Sequence, residues 1–283
     1  MTISIDVLLV TGYLGAGKST LLKNLLQRPE ITRLQPALII NEFGQQGIDG
    51  RLFDESGWPL FEINRGSLFC ICTQTDLLNA LARITDLKPG IVLVEATGVA
   101  ETRDIESLMD EASLEGQFRV RGNICVVDAL NFTKVAPFLK AARNQVAMAD
   151  GIVVNKVDLV PAPQRVPLRQ LFTAMNPRAV RDEVTRGGIE YSFVDRLSHQ
   201  RATESLAAAQ PDAVHARSFH SETPVDRTEF MQTITRLGSR LLRLKGHVLF
   251  SDQTAPQFVE TVFDQVDVKP PVSNVKATAF TAI

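Results

Sequence analysis

With 283 residues and Lys+Arg 30 against Asp+Glu 32, the chain carries a formal net charge of −2, so no global basic field recruits nucleic acid. No apolar run approaches the ~20 residues that a spanning helix needs, and neither a signal-peptide pattern nor a cleavage site follows Met1. Three cysteines in a chain this long do not make a disulfide framework, and the expectation is a cytoplasmic protein with no membrane or nucleic-acid partner.

In chain order, apolar β-rich runs alternate with helical patterns. The strand candidates are Ile3–Thr11, Ala37–Asn41, Ile91–Glu95, Arg119–Val127 and Gly151–Asn155. Most are near-continuous apolar runs, as strands buried on both faces are. Helix candidates lie at Ser19–Gln27, Gln74–Ile84, Asp104–Leu114 and Phe132–Met148. The alternation predicts an α/β fold with a mainly parallel sheet, and ligands of such sheets sit beyond the carboxyl ends of the strands.

The first such end carries Gly12-Tyr13-Leu14-Gly15-Ala16-Gly17-Lys18-Ser19-Thr20, a G-x-x-x-x-G-K-[ST] match between strand and helix. Glycines let backbone N–H groups converge on phosphate oxygens, and the helix N-terminus adds uncompensated donors. Lys18 is placed to reach the β/γ phosphates, and Ser19 to put its hydroxyl on Mg²⁺. The pattern predicts a nucleoside triphosphate site. At the next strand end, Asn41–Gly50 is a loop with three glycines and two acids, in which Glu42 or Asp49 can hold Mg²⁺ or the attacking water. A solvated loop is the alternative there.

Ile91–Glu95 ends in an acid with Gly98 three residues on. This fits Glu95 facing Mg²⁺ through water and the Gly98 N–H facing the γ-phosphate. Asn155-Lys156-Val157-Asp158 follows the last apolar strand. A carboxylate at Asp158 can accept from both N1–H and N2–H of guanine, which adenine cannot match. The Lys156 stem can cover the ring and Asn155 can brace the phosphate loop. An ATP-using small-molecule kinase shares the P-loop but leaves Asp158 without a role.

Cys70 and Cys72 sit one residue apart before a helix pattern. Both thiolates can reach one soft or borderline ion if the backbone bends. A carboxylate, water or second subunit must then complete the site, and core packing is the alternative. Cys125, inside an apolar strand, reads as core.

Taken together, Gly12–Leu22, Asn41–Asp49, Gly66–Cys72, Glu95–Gly98 and Asn155–Asp158 resemble the CobW-type metal-trafficking GTPases, relatives of the HypB and UreG maturation factors. Weaker echoes are Met175-Asn176-Pro177 and Leu242–Gly246. The resemblance implies a P-loop GTPase domain over residues 1–205 and a small α+β domain over 206–283. It implies GTP hydrolysis with Mg²⁺, with Lys18, Glu42 and Glu95 as the catalytic set. Hydrolysis would be coupled to delivery of a divalent transition metal, zinc or cobalt, to a client metalloprotein. A homodimer is compatible with it, and a GTP-switched binding module without a working metal site is the alternative. Two departures stand out. The family's Gly-Cys-x-Cys-Cys run is here Gly66-Ser67-Leu68-Phe69-Cys70 with Cys72 beyond it, and the acid often found after Asn-Glu-Phe-Gly is Gln45.

Beyond Asp158, Pro161, Pro163 and Pro167 predict a break before a helix at Leu168–Met175, and Gly187-Gly188 with the polar, Ala-rich stretch to Pro211 reads as the boundary region. The remainder predicts strands at Val214–His220, Leu241–Ser251 and Gln257–Val266, a helix over Asp226–Leu237 and a loose tail after Lys269-Pro270-Pro271. The four histidines, all within 199–247, read as surface residues.

Overall fold

A computed structural model of the chain describes residues 4–41, 57–63, 71–96, 107, 109, 114–137, 139–200, 217–241, 243–262, 265–271 and 277–282. They fall into two compact units. The first runs β1 (Ile5–Thr11), α1 (Lys18–Leu26), α2 (Pro29–Thr32), β2 (Ala37–Asn41), β3 (Leu60–Ile63), α3 (Ile71–Leu87), β4 (Ile91–Glu95), β5 (Phe118–Asp128), α4 (Phe132–Val135), α5 (Lys140–Ala147), β6 (Gly151–Asn155), α6 (Ala162–Met175), β7 (Val180–Glu183) and α7 (Tyr191–Asp195).

Its sheet is all parallel, in the order β3-β2-β4-β1-β5-β6-β7. The two-residue period of a strand explains the apolar runs. Leu8 and Val10 of β1 join a core with Leu21, Leu22 and Leu25 of α1 and Phe193 and Val194 of α7. Val7 and Leu9 join the opposite core with Leu77, Leu81 and Ile84 of α3. Strand register then sets the functional edge: Val10 lies beside Glu95, Thr11 beside Cys125, and Asp128 beside Asn155.

Two strands escaped the apolar-run pattern, and both lie at sheet edges. The β3 sequence is only Leu-Phe-Glu-Ile, and β7 is Val-Arg-Asp-Glu. An edge strand tolerates charge because one side meets water or a covering helix; Glu183 of β7 pairs with Arg165 and Arg169 of α6. The helix expected over Phe132–Met148 is two, α4 and α5, with Pro137 between them supplying no N–H and blocking the preceding turn. Conversely, α6 starts at Ala162, not Leu168: Pro163 falls in its first turn, where no N–H is needed, and Pro167 is carried inside the helix. The segment Asp104–Leu114 lies largely outside the described residues.

Asn176, part of a weak family echo, has a structural task. Its buried side-chain amide donates to the carbonyls of Val146, Ala147 and Ala149 at 2.9, 3.2 and 2.8 Å, and its Oδ1 accepts from the N–H groups of Arg178 and Ala179. It thus closes the C-terminus of α5 and the turns on both sides. Asn176→Ala is expected to cost about 2–3 kcal/mol, because several backbone groups lose their partner in a buried place. Chemical denaturation followed by Trp58 fluorescence checks this, since Trp58 is the single tryptophan and packs against this unit's core.

The second unit runs β8 (Arg217–Ser221), α8 (Arg227–Leu237), β9 (Arg243–Val248), β10 (Gln257–Val262), β11 (Gln265–Lys269) and β12 (Thr278–Ala282). Its antiparallel sheet is ordered β11-β10-β9-β12-β8, and α8 packs Ile234 against Leu244, Val248, Phe250 and Val259. Asp226 caps α8, accepting from the Glu229 N–H at 2.8 Å. The tail is not loose: β12 lies inside the sheet between β9 and β8. It passes so close to Gly246 (φ +153°) that a Cβ there would lie 2.3 Å from the Ala279 carbonyl oxygen. The run Gln257–Val266 is a hairpin of two strands, β10 and β11.

Candidate nucleotide site

The loop after β1 turns sharply because two glycines permit it. Gly12 has φ +131°, and a Cβ on it would lie 2.2 Å from the Val126 carbonyl oxygen of β5. Gly17 has φ +105°, and a Cβ there would lie 2.3 Å from the Asn155 Nδ2. Between them the Ala16 N–H bonds back to the Tyr13 carbonyl, and α1 starts at Lys18. Gly15 also takes a positive φ, 74°. Thr20, in the first turn of α1, is exposed.

Lys18 is buried, and its ammonium folds back over the loop, donating to the Gly12 carbonyl at 2.9 Å and the Tyr13 carbonyl at 3.4 Å. Ser19 Oγ donates to Glu95 Oε1 at 3.0 Å across 76 positions of sequence. Glu95 is 5% exposed at the end of β4. A hydroxyl beside a buried carboxylate at the mouth of a phosphate loop is a pair of hard oxygen donors, the chemistry Mg²⁺ takes.

Asn155, at the end of β6, joins three segments. Its Nδ2 donates to the Ala16 carbonyl at 2.8 Å, and its Oδ1 accepts from the Gly187 N–H at 2.9 Å. Lys156 follows in the left-handed region at φ 61° and pairs with Asp128 Oδ2 at 2.8 Å. Asp158 stands exposed in the 3-10 turn Val157–Leu159. Beneath the loop, Cys125 is buried, and desolvation pushes its thiol up to about 12 despite a bond to Thr11 and the nearby Lys18 charge. It is inert core, as its strand position indicates.

A family model described as "CobW/HypB/UreG, nucleotide-binding domain" matches residues 6–181, from β1 into β7. The chain belongs to the CobW/HypB/UreG family. A second model, the CobW C-terminal domain, matches residues 214–279 of this CobW-family chain. Zinc chaperone YjiA of Escherichia coli K12 is 26% identical over 262 residues, covering 86% of this chain and 81% of that protein. Zinc chaperone YeiR of the same organism is 36% identical over 156 residues, covering 53% of this chain and 46% of that protein. Zinc-regulated GTPase metalloprotein activator 1 of Schizosaccharomyces pombe is 28% identical over 200 residues, covering 66% of this chain and 47% of that protein.

Within this CobW-family chain the structure brings Lys18, Ser19, Glu95, Asn155 and Lys156 to the carboxyl ends of the parallel strands. Glu42, Cys70 and Gly98 lie outside the described residues. Cys72 falls in the first turn of α3, which begins at Ile71 rather than at Gln74. Among the described residues no group of three His, Cys, Asp or Glu stands ready for a metal, and no helix is long and apolar enough to cross a membrane.

Two parts of the site went unread in the sequence. Gly187 and Gly188 do not mark a boundary: β7 and α7 on either side belong to the first unit, and Gly187 packs 2.8 Å from the Leu21 backbone by its would-be Cβ. Asp128 ends an apolar strand as Glu95 does, a signal that was there to be used. The surface reading of the histidines holds for His220, exposed in β8, but not for His247, buried edge-to-face on Phe258, while His199 bonds Asp150 at 2.8 Å. His215 lies outside the described residues.

Proposed function

We propose that the chain binds GTP with Mg²⁺, hydrolyses it with water, and uses the nucleotide state to take up and hand over a divalent transition ion to a client metalloprotein. The observation that carries this reading is the Asn155 side chain, bonded to both Ala16 and Gly187. It makes the N-K-x-D segment and the phosphate loop one frame, so that a base and its phosphates can be held together. Gly12, Gly15, Ala16, Gly17 and Thr20 belong to the phosphate cradle, and Asp158 is assigned to the guanine N–H pair.

Mg²⁺ fits the Ser19 and Glu95 oxygens, and when bound it neutralises charge building on the phosphate oxygens. The residues supply the rest. Lys18 swings its ammonium from the loop carbonyls to the β/γ oxygens, Glu42 orients the attacking water, and the Gly98 N–H donates to the γ-phosphate. Such catalysis is positioning and electrostatics, and contact with a client or a second copy quickens a slow solitary enzyme. The division between the two domains is assigned to residue 205/206, outside the described residues.

Zinc or cobalt is the cargo, held by Cys70 and Cys72 with help from the Glu42 loop; the zinc-chaperone relatives support this. With two thiolates where the family pattern has three, the site is labile, which suits delivery better than storage. A tenfold nucleotide effect on metal affinity needs only about 1.4 kcal/mol, within what one gained or lost ligand supplies. The test is a Zn²⁺ titration of the chain with GTP, with GDP and without nucleotide. Affinity is expected to change about tenfold or more between nucleotide states. Cys70→Ser with Cys72→Ser is expected to abolish metal binding and leave GTP affinity unchanged. Wild-type binding no stronger than that of the double variant would end the metal reading and leave a nucleotide-switched binding module.

A further inference from the structure

We propose that Asp128 is a positioning residue for the nucleotide base, acting through Lys156; this rests on the reading of Asn155–Asp158 as the guanine-binding segment. Lys156 and Asp128 are 28 positions apart, joined because β5 and β6 run in register with Asp128 beside Asn155. The Lys156 ammonium donates to Asp128 Oδ2 at 2.8 Å, and the carboxylate is 7% exposed against 28% for the lysine. A buried anion with a half-buried cation fixes direction better than two solvated charges do.

Asp128 is itself held rigidly. Its Oδ1 accepts from the Leu130 N–H at 2.9 Å and the Asn131 N–H at 3.3 Å, and its Oδ2 accepts from Asn131 Nδ2 at 3.0 Å. The next residue ties the two strand ends together, the Ala129 N–H donating to the Asn155 carbonyl at 3.0 Å. At Lys156 the backbone has φ 61°, a region disfavoured for any residue with a Cβ. The ion pair helps to hold that conformation, and with it the path of the lysine stem and the start of the turn that carries Asp158.

A lysine fixed at both ends covers a base at less entropic cost than one free to rotate. The acid therefore prepares the base site before nucleotide arrives, without touching the nucleotide itself.

The experiment is a double-mutant cycle on the full chain with a fluorescent N-methylanthraniloyl derivative of GDP. Asp128→Asn and Lys156→Met are each expected to weaken binding about tenfold. The double variant is expected to bind within about twofold of the weaker single one, since the second change finds nothing left to remove. Full additivity, near a hundredfold, is what two independent or merely structural roles would give, and any further loss beyond about twofold overturns the assignment. Wild-type affinity in Asp128→Asn overturns it too. Should the asparagine variant fail to fold, Asp128→Ser takes its place, because a serine hydroxyl still caps the turn amides without the charge. The guanine reading fails by a separate result: Asp158→Ala weakening the GDP and ADP derivatives alike.

Discussion

Lys18→Ala is expected to lower GTP hydrolysis by roughly 10²–10³-fold, the loss of about 3–4 kcal/mol of charge-assisted contact with the phosphates in a site shielded from water. The ammonium sits 2.9 Å from the Gly12 carbonyl and 3.4 Å from that of Tyr13. Carbonyl acceptors compensate a buried cation less well than phosphate oxygens do, which on the proposed reading makes a phosphate the better partner for this charge. The fold does not depend on it: the loop follows from Gly12 and Gly17, whose positive φ and crowded surroundings are independent of the lysine. Stability is therefore expected to stay within about 1 kcal/mol, since the cost of burying a cation is removed along with its bonds. Phosphate release at saturating GTP and Mg²⁺, with circular dichroism as the control for folding, checks both halves. Hydrolysis at the wild-type rate would place the chemistry elsewhere.

Asp158→Ala is expected to weaken GTP binding by about 2–4 kcal/mol, roughly 30–1000-fold, while ATP binding changes little. The asymmetry comes from the donors of guanine, which stay desolvated and unpaired once the carboxylate is gone. Adenine has no N1–H and N2–H pair to lose. Because Asp158 is exposed in a short 3-10 turn, its removal leaves the core intact. Calorimetric titration with both nucleotides measures the ratio, and equal losses would remove the guanine assignment.

On the proposed reading the two variants probe opposite ends of one ligand, and the Asn155 contacts support placing them in one site. Its amide spans from Ala16 to Gly187. The Asn155 contact also gives Gly17 a second reason to be glycine, beyond its φ: a side chain there would occupy the space of the Asn155 amide.

What the sequence by itself determined is what neighbouring residues determine. The phosphate loop is nine consecutive residues whose glycines state the backbone they need; the strand before it is apolar as burial on both faces imposes, and the helix after it is apolar on its buried face. The parallel α/β architecture followed from that same alternation. Cys125 was legible as core because it stands in the apolar run Ile124–Val127. Prolines misled in both directions, breaking a helix at Pro137 and sitting quietly within α6, because the damage depends on which carbonyl lacks its donor.

Tertiary structure alone decided the contacts that depend on register. Asp128 meets Lys156, Ser19 meets Glu95 and Asn155 meets Gly187 only because strands distant in sequence end level with one another. The charged strand β7 and the short tail strand β12, Thr-Ala-Phe-Thr-Ala, had no continuous apolar run. Each is placed largely by backbone pairing with a neighbour, which leaves little mark on side-chain choice, with Val180 of β7 and Phe280 of β12 adding core contacts. Local chemistry is written in adjacent residues because it constrains their own dihedrals and polarity, whereas pairing across a sheet constrains which strands lie side by side, and no single segment carries that information.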